Sequence, residues 1–255
     1  MIEAPTAPAA TRARHRPLHA APPFTPHALY EHRLWLAGIV LAIAFLAGAA
    51  AVGDAALLRV WDVPIQRFVE RTRTTTLDEV FRVASLLGST VFVLSIGGLS
   101  ALLVAQRCRA AAVAIVAATL ARPAMEWTIK VLVDRPRPDF EQMVNGAGPS
   151  FPSGHVLAAV ATWGLLPLIV GLYTRRRAVW WGAVAVSGVA ITMIGASRVY
   201  LGVHWFSDVI AGFLVGSLFL VFVEHVLQTG HGLSTCAARA PAPLIAAPIG
   251  ARAPR

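Results

Sequence analysis

Residues 178–196, AVWWGAVAVSGVAITMIGA, form a run of 19 residues without a formal charge. At about 1.5 Å per residue, a helix of this length crosses the roughly 30 Å hydrocarbon core of a bilayer. The three arginines of residues 175–177 precede the run, and Ser197 and Arg198 follow it. The stretch is therefore predicted to be a transmembrane helix with cationic residues at both ends.

Five further segments have the same character, and together with the first they predict an all-α integral membrane protein with a bundle of six transmembrane helices. The other predicted spans are Leu34–Val52, about Val83–Ala105, Ala110 to about Val133, His155–Tyr173, and Trp205 to about Val223. Composition supports this class, because 56% of the 255 residues are hydrophobic, 14% are charged and the mean hydropathy is +0.65. Soluble globular domains are less apolar and more charged.

The net charge of +9 does not predict a nucleic-acid partner. The basic residues lie in the two ends of the chain, in short loops and in three short motifs, whereas a nucleic-acid surface would gather them on one face. The two cysteines, Cys108 and Cys236, have neither a paired nor a metal-type spacing, so no disulfide is predicted.

Both ends of the chain differ in composition from the predicted spans. Residues 1–30 and 229–255 are rich in Ala, Pro and Arg without apolar periodicity, and they are predicted to be disordered tails around one membrane domain at 31–228. Residues 53–82 mix five arginines and five acidic residues with apolar side chains such as Trp61 and Phe68. This mixture fits either an amphipathic segment at the membrane interface or a polar loop.

Three short motifs fall at the ends of predicted spans on one side of the membrane. Six residues separate Lys130 from Arg137-Pro138 at the end of the third span, and Pro152-Ser153-Gly154-His155 opens the fourth. The third motif has Ser197-Arg198 at the end of the fifth span, then His204 and Asp208 at the start of the sixth. Because helix ends on one side of a bundle are neighbours, the motifs are predicted to converge.

The residue types in the motifs suit the transfer of a phosphoryl group. Such a group spreads negative charge over three oxygens and needs fixed donors around it. Lys130, Arg137 and Arg198 supply cations, while Ser153 and Gly154 supply backbone N–H groups at a helix start, where the helix dipole favours an anion. The alternative for Ser153 is a purely structural role as a helix N-cap.

The third motif also contains a histidine and a carboxylate four residues apart. On a helix, Asp208 would accept a hydrogen bond from one ring nitrogen of His204 and leave the other free to attack phosphorus. The alternative is an interfacial histidine that Asp208 satisfies. No zinc site and no cofactor are predicted, because His204 and Asp208 are already assigned to the attack on phosphorus and no set of thiolates accompanies them.

In order and spacing, the three motifs resemble the signature of the type 2 phosphatidic acid phosphatases. That superfamily also includes bacterial acid phosphatases and vanadium haloperoxidases, and the resemblance covers residues 125–212 directly. It implies that His204 forms a phosphohistidine, that Asp208 orients it, and that His155 first protonates the leaving group and then activates water. The pKa of histidine, near 6.5, suits both of these tasks. The alternative for His155 is an exposed residue at a helix start without a catalytic role.

The charged residues near the first motif have alternative roles. Arg135 is either a further phosphate contact or an interfacial cation. Arg122, Glu126 and Lys130 share one helix face, which is expected to point into the bundle because charges in lipid are costly. The alternative is that Arg122 and Glu126 merely neutralise each other, and Glu126 either tunes Lys130 or serves packing.

The distribution of arginine predicts the orientation in the membrane. An even number of spans places both termini on the side of the loops at 106–109 and 174–177, which contain five arginines and no acidic residue. The positive-inside rule places such loops in the cytoplasm, although residues 53–82 on the other side contain as many arginines. The termini are therefore predicted to be cytoplasmic, with the motifs at the extracytoplasmic membrane surface.

A phosphate site at the membrane surface predicts a lipid substrate. The family resemblance allows phosphatidate, phosphatidylglycerol phosphate or a polyprenyl diphosphate such as undecaprenyl diphosphate. The Ala- and Arg-rich composition points to a bacterial plasma membrane. The competing interpretation is a transporter or channel with charges along a pathway, but here the charges cluster at one helix end. A vanadate-dependent haloperoxidase is disfavoured because those relatives are soluble.

Overall fold

The computed structural model describes residues 36–44, 47–48, 56–106, 109–174 and 176–229. Within these ranges the chain is helical or irregular and has no β-strand, which confirms the all-α prediction for this part of the chain. Residues 36–44 and 47–48, inside the first predicted span, are helical. The predicted tail at 1–30, all but the first residue of the tail at 229–255, and both cysteines lie outside the described residues.

From residue 56 onward, the described chain forms eight helices. They are α1 (Ala56–Arg71), α2 (Thr75–Leu86), α3 (Thr90–Ala105), α4 (Arg109–Val133), α5 (Gly154–Trp163), α6 (Leu165–Tyr173), α7 (Arg177–Tyr200) and α8 (Phe206–Thr229).

The region predicted as an interfacial segment or polar loop contains α1 and most of α2, so the loop interpretation is wrong. Thr74 begins α2 by accepting a hydrogen bond from the Leu77 backbone N–H at 3.3 Å. Helix α1 packs against α7 and α8 and buries Asp62 and Gln66, while Phe68 is exposed. Helix α1 therefore directs Asp62 and Gln66 into the bundle while Arg67 and Arg71 stay exposed, and its position at the membrane interface stays a prediction.

Two of the predicted spans are not continuous helices. The second is broken at residues 87–89, where α2 and α3 meet at 44° and Ser89 caps the new helix through the Phe92 N–H. A Cβ at Gly88 would lie 2.7 Å from Ile194 Cγ2, so the break brings this backbone close to α7. The fourth is interrupted at Gly164, where a side chain would collide with Leu220. These two breaks depend on contacts between helices, which cannot be predicted from hydropathy along the chain.

Helix length and composition allow two to three membrane crossings within the described chain. Ala112–Val133 and Arg177–Tyr200 are long and apolar enough, and the bent pair α2 and α3 would be a third. Large apolar side chains are exposed on α4 and α7, such as Leu132 at 76% exposure and Trp181. Apolar surface of this extent is expected to face lipid. The count of six spans stays a prediction.

Helices α5 and α8 approach each other closely because glycines lie between them. A Cβ at Gly212 would lie 2.6 Å from the Ser153 carbonyl oxygen, and one at Gly216 would lie 2.8 Å from Val160 Cβ. This small-xxx-small spacing is typical of close packing between membrane helices. It places the first turn of α5 beside the first turn of α8, where the Ser153 N–H donates to the Asp208 carbonyl at 3.0 Å.

Candidate active site

The loops at 134–153 and 201–205 meet at one end of the bundle and bring the three motifs together. Arg137 Nη1 donates to the Val203 carbonyl at 2.6 Å, and Trp205 Nε1 donates to the Pro136 carbonyl at 3.1 Å. Together with the bond between Ser153 and Asp208, these contacts join the ends of α4, α5, α7 and α8. The predicted convergence of the motifs is therefore confirmed as geometry, while the roles of their residues stay predictions.

His204 lies in the turn between α7 and α8 rather than on a helix, where its spacing from Asp208 would place it. Gly202 makes the turn possible, because its φ of +76° lies in the left-handed region. His204 Nδ1 is 3.6 Å from Asp208 Oδ2, beyond hydrogen-bond length, and is buried without a hydrogen-bond partner among the described residues. Such pairs often tighten when substrate binds.

The surroundings of His204 keep its imidazole neutral. Burial lowers the pKa of His204 to about 4; Asp208 opposes this shift, whereas the guanidinium groups of Arg198 and Arg137 add to it. At neutral pH the ring therefore retains the lone pair that a nucleophile needs.

Arg198 stands out among the three predicted phosphate-binding cations because much of its donor capacity is unused. Its Nη1 donates to Ser85 Oγ on α2 at 2.5 Å, while its Nε is buried without a partner in the described structure. Arg137, by contrast, donates from three nitrogens to backbone carbonyls of residues 147, 148 and 203. Lys130 Nζ donates to the Pro149 carbonyl at 2.9 Å. Arg137 and Lys130 thus also hold the loop at 134–153 in place.

Ser153 precedes α5 but does not cap it. Its side chain makes no capping hydrogen bond, and its Oγ is buried without a partner among the described residues. A role as N-cap alone is therefore disfavoured, since a capping hydroxyl accepts from the first turn of its helix. The Ser153 hydroxyl and Arg198 Nε can therefore bond a ligand, although Gln66, Arg73 and Arg122, outside the motifs, also have buried atoms without a partner among the described residues.

Glu126 connects α4 to the first turn of α5. Its carboxylate pairs with Arg122 Nη1 at 2.9 Å and lies 4.0 Å from Lys130 Nζ. The predicted neutralisation of Arg122 by Glu126 is thus observed. A side chain at Gly154 would overlap the Glu126 carboxylate, so Glu126 also packs against the start of the second motif. Both interpretations of Glu126 fit this placement.

His155 is half-buried rather than exposed, and it faces the other motifs. It lies within electrostatic range of Arg198, His204 and Arg137. The backbone of Gly88 packs against it, because a Cβ there would lie 3.4 Å from both Cβ and Cδ2 of His155. This placement argues against the interpretation of His155 as an exposed residue.

Arg135 is buried among protein groups rather than exposed as an interfacial cation. Its Nη1 donates to Asp208 Oδ1 at 2.6 Å and to Ser207 Oγ at 2.7 Å, and its Nη2 donates to Asp62 Oδ2 at 2.8 Å. The guanidinium also lies over the Trp205 ring, 5.5 Å from the centroid. Two buried carboxylates and Ser207 therefore accept three hydrogen bonds from Arg135, and its role as a phosphate contact stays a prediction.

Sequence reasoning missed Asp62, which belongs to this cluster. It lies 73 residues before Arg135, in the region predicted to be an interfacial segment or a polar loop. The signal was an acidic residue directly after Val60 and Trp61 in an otherwise apolar turn, because a buried charge in such a setting is expected to have a specific partner.

Comparison with known proteins agrees with the resemblance of the motifs. Residues 107–231 match the model of the PAP2 superfamily. The chain is 36% identical over 101 residues to phosphatidylglycerophosphatase B of Bacillus subtilis, covering 38% of this chain and 48% of that protein. It is 35% identical over 81 residues to an undecaprenyl-diphosphatase of Sulfolobus acidocaldarius, covering 32% of this chain and 35% of the relative. The chain thus matches less than half the length of these relatives.

A solved structure shares the fold. It is the crystal structure of a transmembrane PAP2 type phosphatidylglycerolphosphate phosphatase from Bacillus subtilis, with a TM-score of 0.67 and 24% sequence identity. The similarity covers 76% of this chain and 96% of that one. For residues 107–231, the superfamily that the three motifs predicted is confirmed by the family match.

Proposed function

Because residues 107–231 belong to the PAP2 superfamily, we propose that the protein is a membrane phosphatase that hydrolyses a lipid phosphate monoester or a polyprenyl diphosphate. The observation that carries this proposal is the pair of buried, unpartnered polar atoms Ser153 Oγ and Arg198 Nε in the motifs that meet at His204. Leaving such groups unsatisfied is costly. A phosphate oxyanion would supply acceptors to both.

The proposed reaction has two steps, with His204 as nucleophile. In the first, neutral His204 attacks phosphorus while Asp208 accepts the hydrogen bond from the other ring nitrogen; a P–N bond forms and the bond from phosphorus to the leaving oxygen breaks. His155 gives that oxygen its proton. In the second, His155 takes a proton from water, whose oxygen attacks phosphorus and breaks the P–N bond. Phosphate leaves and both histidines return to their starting forms.

The charges around the site support a mechanism without a metal ion. Lys130, Arg137 and Arg198 supply three positive charges for the oxygens of the phosphoryl group, together with Ser153 and the N–H groups at the start of α5. A cluster of three cations would also repel a divalent metal ion. We therefore assign no metal and no cofactor to the reaction.

An apolar groove next to the site supports a lipid substrate. It has a volume of about 360 Å³ and lies between α7 and α8 with Val156, Ile191, Val199, Phe206, Val209 and Phe213 among its lining residues. Val156 follows His155 and Val199 follows Arg198, so two of the lining residues are next to site residues in the chain. A hydrocarbon tail in this groove would place its headgroup at His204.

The names of the two relatives support two substrate types, phosphatidylglycerol phosphate and undecaprenyl diphosphate. Phosphatidate stays a third candidate from the motif resemblance. All three combine a phosphate or diphosphate headgroup with a long hydrocarbon chain. The cationic residues of the motifs would bind the headgroup, and the apolar groove would bind the hydrocarbon chain.

The proposed setting is the plasma membrane of a bacterium, with six spans, cytoplasmic termini, a membrane domain at 31–228 and the site facing outward. Two observations support the orientation. Helix α7 begins at Arg177 and ends at Tyr200 beside the site, so the arginine-rich loop lies at the opposite end from the site. The positive-inside rule assigns that loop to the cytoplasm.

The transporter interpretation has less support. A transport pathway needs polar groups along the depth of a bundle. In the part of the chain that the structure describes, the buried charged residues Asp62, Arg135, Arg198 and Asp208 lie at one end of the bundle, while buried Ser100, Thr162 and Ser187 carry no charge. The ion pair of Arg122 and Glu126 extends the charged cluster by about two turns of α4.

The test is phosphate release by the purified, detergent-solubilised protein from phosphatidylglycerol phosphate, phosphatidate and undecaprenyl diphosphate. We expect the wild type to cleave at least one of them without added metal, and His204→Ala to lose at least about a thousandfold in kcat. Acid-labile, alkali-stable label on the wild type after brief reaction with ³²P-substrate would identify the phosphohistidine. Retained activity in His204→Ala, with thermal unfolding like that of the wild type, would contradict the proposal.

A further inference from the structure

Asp62 is a buried carboxylate outside the three motifs. It is 2% exposed, and its oxygens accept from Arg135 Nη2 at 2.8 Å, from Ser207 Oγ at 2.6 Å and from the Ser207 N–H at 2.9 Å. A carboxylate with this many donors is held in one orientation. Its negative charge is therefore fixed beside the first turn of α8.

Arg135 connects this carboxylate to the candidate active site. One guanidinium nitrogen bonds Asp62 and the other bonds Asp208, and the planar group cannot turn without breaking both contacts. Ser207 closes the arrangement, because its hydroxyl accepts from Arg135 Nη1 and donates to Asp62. Asp208 in turn has its second oxygen directed to the Trp205 N–H at 2.9 Å and to His204.

From this chain of contacts we infer that Asp62 is a positioning residue for the nucleophile, which acts on His204 through Arg135 and Asp208. The inference rests on the proposed function and deepens it. By sharing the charge of Arg135, Asp62 leaves Asp208 able to attract the Nδ1 proton of His204. Without Asp62, Asp208 is the only carboxylate paired with Arg135. The guanidinium then attracts Asp208 more strongly and competes with the imidazole for it.

The electrostatic setting of His204 makes this competition matter. Arg198 and Arg137 both disfavour a positive charge on the ring, and Asp208 is the carboxylate that opposes them. A weaker contact between Asp208 and Nδ1 therefore makes the imidazole a poorer nucleophile without removing a group that touches substrate. The loss is expected in kcat rather than in KM.

The experiment compares Asp62→Asn with Glu70→Gln in the detergent-solubilised full chain. Glu70 is on the same helix, two turns on, and makes no ion pair or hydrogen bond with the described residues, so it controls for the loss of one negative charge from α1. We expect Asp62→Asn to lower kcat by about 10–100-fold with KM unchanged, as for other outer partners of catalytic groups. Glu70→Gln should keep the wild-type values.

A second measurement does not depend on turnover. Imidazole ¹⁵N shifts of histidine-labelled protein at neutral pH report which nitrogen of His204 carries the proton, with the signal assigned by its loss in His204→Gln. We expect the Nδ1–H form in the wild type and in Glu70→Gln, and loss of this preference in Asp62→Asn. An unchanged tautomer or an unchanged kcat in Asp62→Asn overturns the inference.

Two further outcomes are distinguishable. A wild type that cleaves none of the lipids while its His204 tautomer still responds to Asp62→Asn would refute the proposed function and keep the positioning role. Should Asp62→Asn not fold, Ser207→Ala weakens the same link without removing a charge; we expect a smaller loss of kcat with the same change of tautomer. Wild-type behaviour of Ser207→Ala in that case would overturn the inference.

Discussion

Around His204 the protein buries charged side chains, whereas along much of α4 and α7 it exposes large apolar ones. We call the first region the polar end; it comprises the loops at 134–153 and 201–205 with the helix turns that they join. We call the second the apolar body. At the polar end Asp208 is fully buried between Arg135 and His204, while in the body Leu132 and Trp181 face outward.

The difference shows that the two regions are held by different forces. Side chains of the polar end are fixed by directional hydrogen bonds and ion pairs at low dielectric, where a missing partner is costly. The body is held by close packing, as at Gly97 of α3 against Thr119 of α4, and by its match to lipid. Changes at the polar end are therefore expected to alter turnover for any lipid tail, and changes in the body to alter how the tail is recognised.

The largest effect is expected from Arg198→Lys at the polar end. Lysine lacks the planar guanidinium of arginine, so it cannot donate to Ser85 and to phosphate from two fixed directions at once. We expect kcat/KM to fall about 100- to 1000-fold, as for the loss of one oxyanion donor, to the same extent for long-chain and short-chain substrates. Arg82→Lys, in an exposed pair with Glu79, is the control. A loss that depended on tail length would break the distinction between the two regions.

The next effect is expected in stability, from Gly202→Ala. Alanine at a φ of +76° is strained, and its Cβ would overlap the Glu141 carbonyl, which Arg73 also holds. We expect a loss of about 1–3 kcal/mol in the free energy of unfolding, measured by thermal denaturation in detergent. Gly182→Ala has open space around it on α7 and should be neutral or stabilising by up to about 1 kcal/mol. Equal effects of the two changes would contradict this role for Gly202.

The smallest effect is expected from the groove in the apolar body. Gly188 lines the groove on α7, and a Cβ added there would have no other atom within 4 Å, so Gly188→Leu should fold and fill part of the space for a lipid tail. We expect KM for a long-chain substrate to rise about tenfold, with little change for a water-soluble short-chain phosphate. Gly182→Leu, on the same helix and away from the groove, is the control. Equal effects of Gly188→Leu on both substrates would place the tail elsewhere.

The motif residues could be predicted from the sequence because their signals are local. The four-residue spacing of His204 and Asp208 predicted their approach, although the turn after α7 leaves them 3.6 Å apart rather than hydrogen-bonded. The ion pair of Arg122 and Glu126 followed from the same helical spacing. By contrast, the breaks at residues 87–89 and at Gly164 depend on contacts with Ile194 and Leu220, which no local periodicity reports.

By itself, the sequence determined the helical class, the family and the set of groups that can hold a phosphate, since hydropathy and motif spacing are properties of neighbouring residues. Tertiary structure alone decided that Arg135 binds Asp62 and Asp208, that Arg137 is committed to backbone carbonyls, and that Arg198 and Ser153 keep unpartnered donors. The physical reason is that a charge buried between helices takes whichever partner the packing brings within reach. Asp62 and Arg135 are 73 residues apart, so their pairing exists only once α1 has packed beside the loop that follows α4.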